Sequence, residues 1–240
     1  MTEKEICANE LAAFYIKQTN HQHVPIKIHF VDNINDDWIF YTSDDNVIRQ
    51  YLNQDFTKYN GLTMPYDGET YHLLIRNDYE DYECTVIHEC THAFDYDRFR
   101  VDFNNGNLNI ECHNKYTAMA LYSEFHARTV AHSYLLNKIT RENILNIITN
   151  EFNEMCKEIS KLKIDFLNKT ISYQWFSYML MQFVGRLHSY NIYCNTAKLI
   201  EEFFKKLLRV YHSLCALDQV WSNEKFSSLT EAIEEFALSK

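Results

Sequence analysis

The chain has 240 residues, the length of one large domain or two small ones, and its 46% hydrophobic against 23% charged residues argue against wholesale disorder. It holds only four glycines and two prolines, where average composition would give roughly 17 and 12, which argues against an all-β sandwich or barrel and against a glycine-rich phosphate loop. A net charge of −10 repels a phosphate backbone, so nucleic acid is not an expected partner.

Residues 3–17 read as a short amphipathic helix with Ile6, Leu11, Phe14 and Tyr15 as its apolar positions. This start lacks the basic and apolar stretches of a signal peptide, and no apolar run reaches the 18 or so residues of a membrane span. Seven cysteines, an odd count without a CxxC pair, fit reduced thiols. The expectation is a cytoplasmic protein with no membrane partner. Pro25 opens 26–31, which alternates at period two and predicts a strand. A second strand is expected at 38–41, a short helix at 47–52, a loop at 61–68 and another strand at 71–76.

From about Asp81 the pattern is helical, with predicted helices at 81–96, 114–137, 141–167, 171–187, 195–217 and 224–238 and a connecting loop at 98–112. The fold class is α+β. A shift from mixed to purely helical character near residue 138 divides the chain into 1–138 and 139–240. No Pro/Gly/Ser linker stands there, so the two parts are expected to pack together.

The chemistry is concentrated at His88-Glu89-Cys90-Thr91-His92, an HExxH pattern inside a predicted helix. Histidines at i and i+4 leave the same side of a helix one turn apart, so both imidazoles can bind one Zn²⁺. The glutamate between them can hold and deprotonate water on that ion. With 11 histidines in the chain, chance supplies this pattern about 0.04 times. On a helical wheel Thr85, His88, Glu89, His92 and Asp95 fall on one polar arc, and Val86, Ile87, Cys90, Ala93 and Phe94 on the other, which is expected to be the buried one.

A catalytic zinc takes three protein ligands and water. The continuation Ala93-Phe94-Asp95-Tyr96-Asp97-Arg98 lacks the third histidine of a metzincin. Two glutamates compete instead. Glu111 lies 19 residues after His92, in a predicted loop that also holds His113. Glu124 lies 32 residues after His92 inside a helix, where Thr117, Ala120, Ala127 and Ala131 share its face. Those small residues permit close helix approach, so Glu124 is preferred, with Glu111, His113 or another residue as alternatives.

With these residues in place the chain resembles the gluzincin branch of the zincin metallopeptidases. Glu124-Phe125-His126-Ala127 is similar to the Glu-x-x-Ala element of the ImmA/IrrE-type cytoplasmic metallopeptidases. The resemblance covers roughly residues 70–136. It implies a zincin-like small sheet above the active-site helix, followed here by a mostly helical C-terminal half. It also implies a zinc-dependent peptidase acting on a peptide or protein, with His88, His92 and Glu124 as metal ligands and Glu89 as general base. The chain departs from that family in lacking a helix-turn-helix segment. An edge strand, 71–76, is expected to pair with an extended peptide. His113, Tyr116, Tyr173 and His188 are candidates to donate to the oxyanion.

Plainer roles stand beside these. Asp95 either orients an imidazole or caps the helix and pairs with Arg98, and Arg128 either steadies Glu124 or forms an ordinary i,i+4 pair. His126 and Cys90 read as structural, and His132 lies on the flank. His21, His23, His29, His72 and His212 have no partner at ligand spacing. Cys84, Cys90 and Cys112 lie near the motif, but no cysteine is placed for activation by a histidine. Tyr173, Trp175, Phe176 and Tyr178 read as core. The alternative from another class is a partner-binding or regulatory protein on a zincin scaffold without turnover.

Overall fold

Thr2 begins the first helix. Its hydroxyl accepts from the Glu5 N–H and the Glu5 carboxylate accepts from the Thr2 N–H, so α1 (Glu3–Gln18) opens on a capping box. The computed structural model describes residues 2–239. The fold is mixed α+β, and its contacts divide the chain into two units, Met1–Ile110 and Glu111–Lys240. Among the described residues no helix is long and apolar enough to cross a membrane.

The first unit is built on three strands, β1 (Ile26–Val31), β2 (Gly61–Thr63) and β3 (Tyr71–Arg76), in the order β1-β3-β2. β1 runs parallel to β3, with Ile26 opposite Tyr71 and Val31 opposite Arg76. β2 runs antiparallel, with Gly61 opposite Ile75 and Thr63 opposite Leu73. Between β1 and β2 lie α2 (Ile34–Asp37), a 3₁₀ turn (Trp38–Tyr41) and α3 (Asp45–Tyr51). After β3 comes α4 (Tyr82–Asp102).

β3 holds this unit together. Tyr71, Leu73 and Ile75 pack with Ala8 and Ala12 of α1 and with Val86, Cys90, Ala93 and Phe94 of α4. Leu74 points the other way, into a second cluster with Val31, Ile34, Trp38, Val47, Phe56 and Met64. A strand covered on both faces carries a continuous apolar run, and Leu73-Leu74-Ile75 is one. The strand expected to lie at the edge, 71–76, is therefore the centre of the sheet, and β1 and β2 are its edges.

Residues 38–41 form the 3₁₀ turn and not a strand. Asn33 caps α2 by accepting from the Asn35 N–H, and Ile34 and Trp38 reach the same core at helical spacing. β2 lies in the expected loop, too short for its period to show. α4 continues past residue 96 because Phe99 still faces the core, and it stops before Asn105 and Gly106, whose φ values are +51° and +78°.

The second unit is helical: α5 (Tyr116–Leu136), α6 (Arg141–Leu167), α7 (Tyr173–Ser189), α8 (Thr196–Phe203), α9 (Leu207–Gln219) and α10 (Asn223–Leu238). α5 packs along α7 and against α9 and α10, so the composition shift near residue 138 falls inside this unit. The predicted helix 195–217 is two helices. The chain opens at Phe204 (φ −144°, ψ 72°), whose ring meets Phe183 and Phe236 edge-on.

Gly185 sets the α5–α7 separation. A Cβ there would lie 2.7 Å from the Phe125 carbonyl oxygen and 2.9 Å from the Arg128 Cβ. We expect Gly185→Ala to lower stability by about 1–3 kcal/mol in denaturant titration, because a backbone atom cannot step aside. In the same unit the His132 Nδ1 lies 2.6 Å from the Ser189 hydroxyl, which itself donates to the Arg186 carbonyl, so Nδ1–H is the donor of that contact. Burial pushes this histidine down from 6.5 to about 4. The unfolded chain then takes up a proton that the folded chain refuses, and stability falls as pH drops from 6.5 to about 4. The loss should reach up to about 3 kcal/mol, and His132→Gln should flatten it in the same titration.

Candidate metal centre

The HExxH residues sit where the sequence predicts, on α4. His88 and His92 are one turn apart and their Nε2 atoms are 3.0 Å from each other, with the rings edge to face at 4.6 Å between centroids. Two nitrogen ligands on a tetrahedral zinc are separated by about 3.3 Å, so this pair needs little adjustment to share an ion. Tyr96 stacks on His92 at 5.6 Å.

The two arcs of the wheel differ less than expected. Val86, Ile87, Cys90, Ala93 and Phe94 are buried, as predicted, but so are Thr85, Glu89, His92 and Asp95. Only His88 on the polar arc is half-buried. A buried polar arc must be satisfied by specific partners, and β2 supplies one. The Thr63 hydroxyl lies 2.8 Å from Glu89 Oε2 and 2.9 Å from the Glu89 carbonyl oxygen. Gly61 permits this approach, since a Cβ there would lie 2.7 Å from Glu89 Oε1 and 2.6 Å from Thr85 Cγ2. Neither Gly61 nor Thr63 is singled out by the sequence, although Gly61 is one of only four glycines.

Around this site Tyr15 and Thr91 hydroxyls meet at 2.9 Å, joining α1 to α4. Burial pushes the Tyr15 phenol up, with the charge of nearby Asp95 adding to it. Arg98 forms an exposed ion pair with Asp102 at 3.6 Å.

Glu124 belongs to the second unit, in the middle of α5, and is 7% exposed. The side-chain amide of Gln182 on α7 donates to its Oε1, and the same amide reaches the Tyr178 hydroxyl at 3.3 Å. Ala127 and Ala131 are buried as expected, whereas Thr117 at the helix start is exposed. Gln182 carried no signal in the sequence, because a lone glutamine on an apolar helix looks like any other. Glu111 lies on a 3₁₀ turn (Ile110–Cys112), half-buried. Burial, and after it the Glu111 charge, pushes the Tyr116 phenol up. His113 Nδ1 accepts the Lys115 N–H at 3.1 Å and so closes a local turn.

The remaining candidates have local roles. His126 packs against Tyr122 at 5.7 Å, and Arg128 packs on Gly185. Phe176 is core, while Trp175 is exposed and stacks on Tyr178. His21 stacks on Phe94, and His23 lies 3.9 Å from Asp97. The parallel register brings His29 and His72 to 2.9 Å, and His72 extends the chain to Asp67 at 3.1 Å. His188 Nδ1 contacts the Tyr211 hydroxyl at 2.9 Å.

Comparison with family models, with curated proteins and with solved structures finds no match.

No disulfide forms among the described residues. Cys90 is fully buried and burial pushes its thiol up, which makes it a poor nucleophile, whereas Cys7 and Cys112 are exposed. Under native conditions iodoacetamide should therefore modify Cys7 and Cys112 and leave Cys90 untouched. Peptide mass mapping reads this directly, and modification of Cys90 at the rate of Cys7 would show that the α4 core opens.

Proposed function

We propose that this chain is a zinc-dependent metallopeptidase on a zincin-like scaffold. His88, His92 and Glu124 would hold the metal, and Glu89 would act as general base on a peptide or protein substrate. The observation that carries the reading is the facing pair of imidazole Nε2 atoms on α4, with a buried carboxylate between them in sequence. Each of the three ligand residues offers one donor atom of the kind zinc takes, two imidazole nitrogens and a carboxylate oxygen. The similarity of Glu124-Phe125-His126-Ala127 to the ImmA/IrrE-type element supports the choice of Glu124 over Glu111.

When bound, zinc supplies a Lewis acid and lowers the pKa of its water toward neutrality. The chain supplies the rest. Glu89 accepts a proton at its carboxylate and returns it to the leaving amine. Thr63 donates to Glu89 Oε2 and fixes the rotamer in which Glu89 does so. β2 is an edge of the sheet and carries Thr63 against Glu89, so it, and not the central β3, is the strand beside the site to which an extended peptide would add.

The test is metal content and turnover together. Elemental analysis of chain purified without added metal should give one zinc that depends on this site. Glu124→Ala should lose it and Glu111→Ala should keep it. Glu89→Gln should keep the zinc and lower cleavage of a peptide library about 10²–10⁴-fold. Loss of zinc in Glu111→Ala alone would move the third ligand there. Zinc bound by the wild type without cleavage of any peptide would favour the partner-binding reading.

A further inference from the structure

The second unit brings together a group of metal-binding side chains that HExxH does not include. His188 closes the last turn of α7, and Cys215 and Asp218 lie one turn apart on α9. One ligand atom from each of the three lies within 4.8 Å of the others. We propose that His188, Cys215 and Asp218 form a second site for a divalent transition metal, of the zinc class.

Three features of the surroundings point to a ligand. The first is the donor set. A thiolate, an imidazole and a carboxylate are the three side-chain ligands of zinc, and their two negative charges neutralise the ion. Magnesium and calcium, which take oxygen ligands, are disfavoured by the sulfur and nitrogen.

The second is the orientation of the ligands. The Tyr122 hydroxyl donates to Asp218 Oδ1 at 2.8 Å, and Asp218 Oδ2 is the oxygen that faces His188 Nε2, at 3.9 Å. The Tyr211 hydroxyl lies 2.9 Å from His188 Nδ1. If Nδ1–H donates to that hydroxyl, the Nε2 lone pair is directed at the same space. Outer groups that fix a ligand's rotamer and tautomer in this way are a regular part of metal sites.

The third is access. The His188 side chain is 21% exposed and that of Asp218 33%, so an ion can enter and three protein ligands leave a fourth position for solvent. The sequence hides the group, since its members are 27 and 30 residues apart and only the packing of α7 near α9 unites them.

Cobalt(II) alone is the probe, titrated into the full chain after chelator treatment. A thiolate on cobalt gives a near-ultraviolet charge-transfer band, which a site of two histidines and a glutamate cannot give. The band should appear in the wild type, persist in His88→Ala and in Glu124→Ala, and vanish in Cys215→Ser. Tyr122→Phe, which keeps every ligand, should weaken cobalt binding about tenfold. Asp218→Asn should weaken it at least tenfold with the band still reached at saturation, and so covers a Cys215→Ser variant that fails to fold. Absence of the band in the wild type, its survival in Cys215→Ser, or unchanged affinity in Asp218→Asn would overturn the proposal. Each arm reads the thiolate site alone, so failure of the HExxH site leaves these outcomes intact.

Discussion

The first unit depends on how closely β2 approaches α4. At Gly61 the backbone comes so near the helix that a single methyl group would meet Glu89 and Thr85. Two residues on, Thr63 faces the same glutamate and donates to it. A buried carboxylate without donors is costly, and Glu89 is held by a strand only three residues long. The arrangement leaves the HExxH helix little rotational freedom. Its apolar side is fixed by β3 and its polar side by β2, so the directions of His88 and His92 follow from the sheet.

The second unit uses the same device on a helix pair. Gly185 lets α7 approach α5 at Phe125 and Arg128, and the Thr129 hydroxyl spans the contact to the Gly185 carbonyl at 3.2 Å. One turn from that contact the amide of Gln182 reaches Glu124. In the first unit the glycine lies against the glutamate itself, and in the second against Phe125 and Arg128, the residue after Glu124 and the residue one turn on. A chain with so few glycines uses two of them in this way.

Most of this fold was legible in the sequence where the signal was long. The strands at 26–31 and 71–76 and the helix at 141–167 were placed to the residue, since alternation in the first, a bounded apolar run in the second and helical periodicity in the third span the whole element. Short or interrupted elements were not. The turn at 38–41 reads as a strand because four apolar residues in a row carry no period, and β2 is too short to carry one at all. The break at Phe204 is made by aromatic packing from α7 and α10, which no local pattern records. For the candidate metal centre, the i,i+4 histidines and Glu89 announce themselves. Their supports, Gly61, Thr63 and Gln182, do not, because they act through space from other elements.

The parallel pairing of β1 with β3 has a consequence for the order of assembly. Partners in that ladder are 45 residues apart in sequence, as with Ile26 and Tyr71. Everything between them must be threaded before the ladder closes, and such loop closure slows folding relative to local helix formation. α4 follows directly after β3, and part of its apolar face is buried against Tyr71, Leu73 and Ile75, whose strand pairs in that ladder. The packing that orients the two histidines is thus complete only after this long-range pairing, and any ion that the candidate site holds would stabilise a finished sheet and not nucleate one.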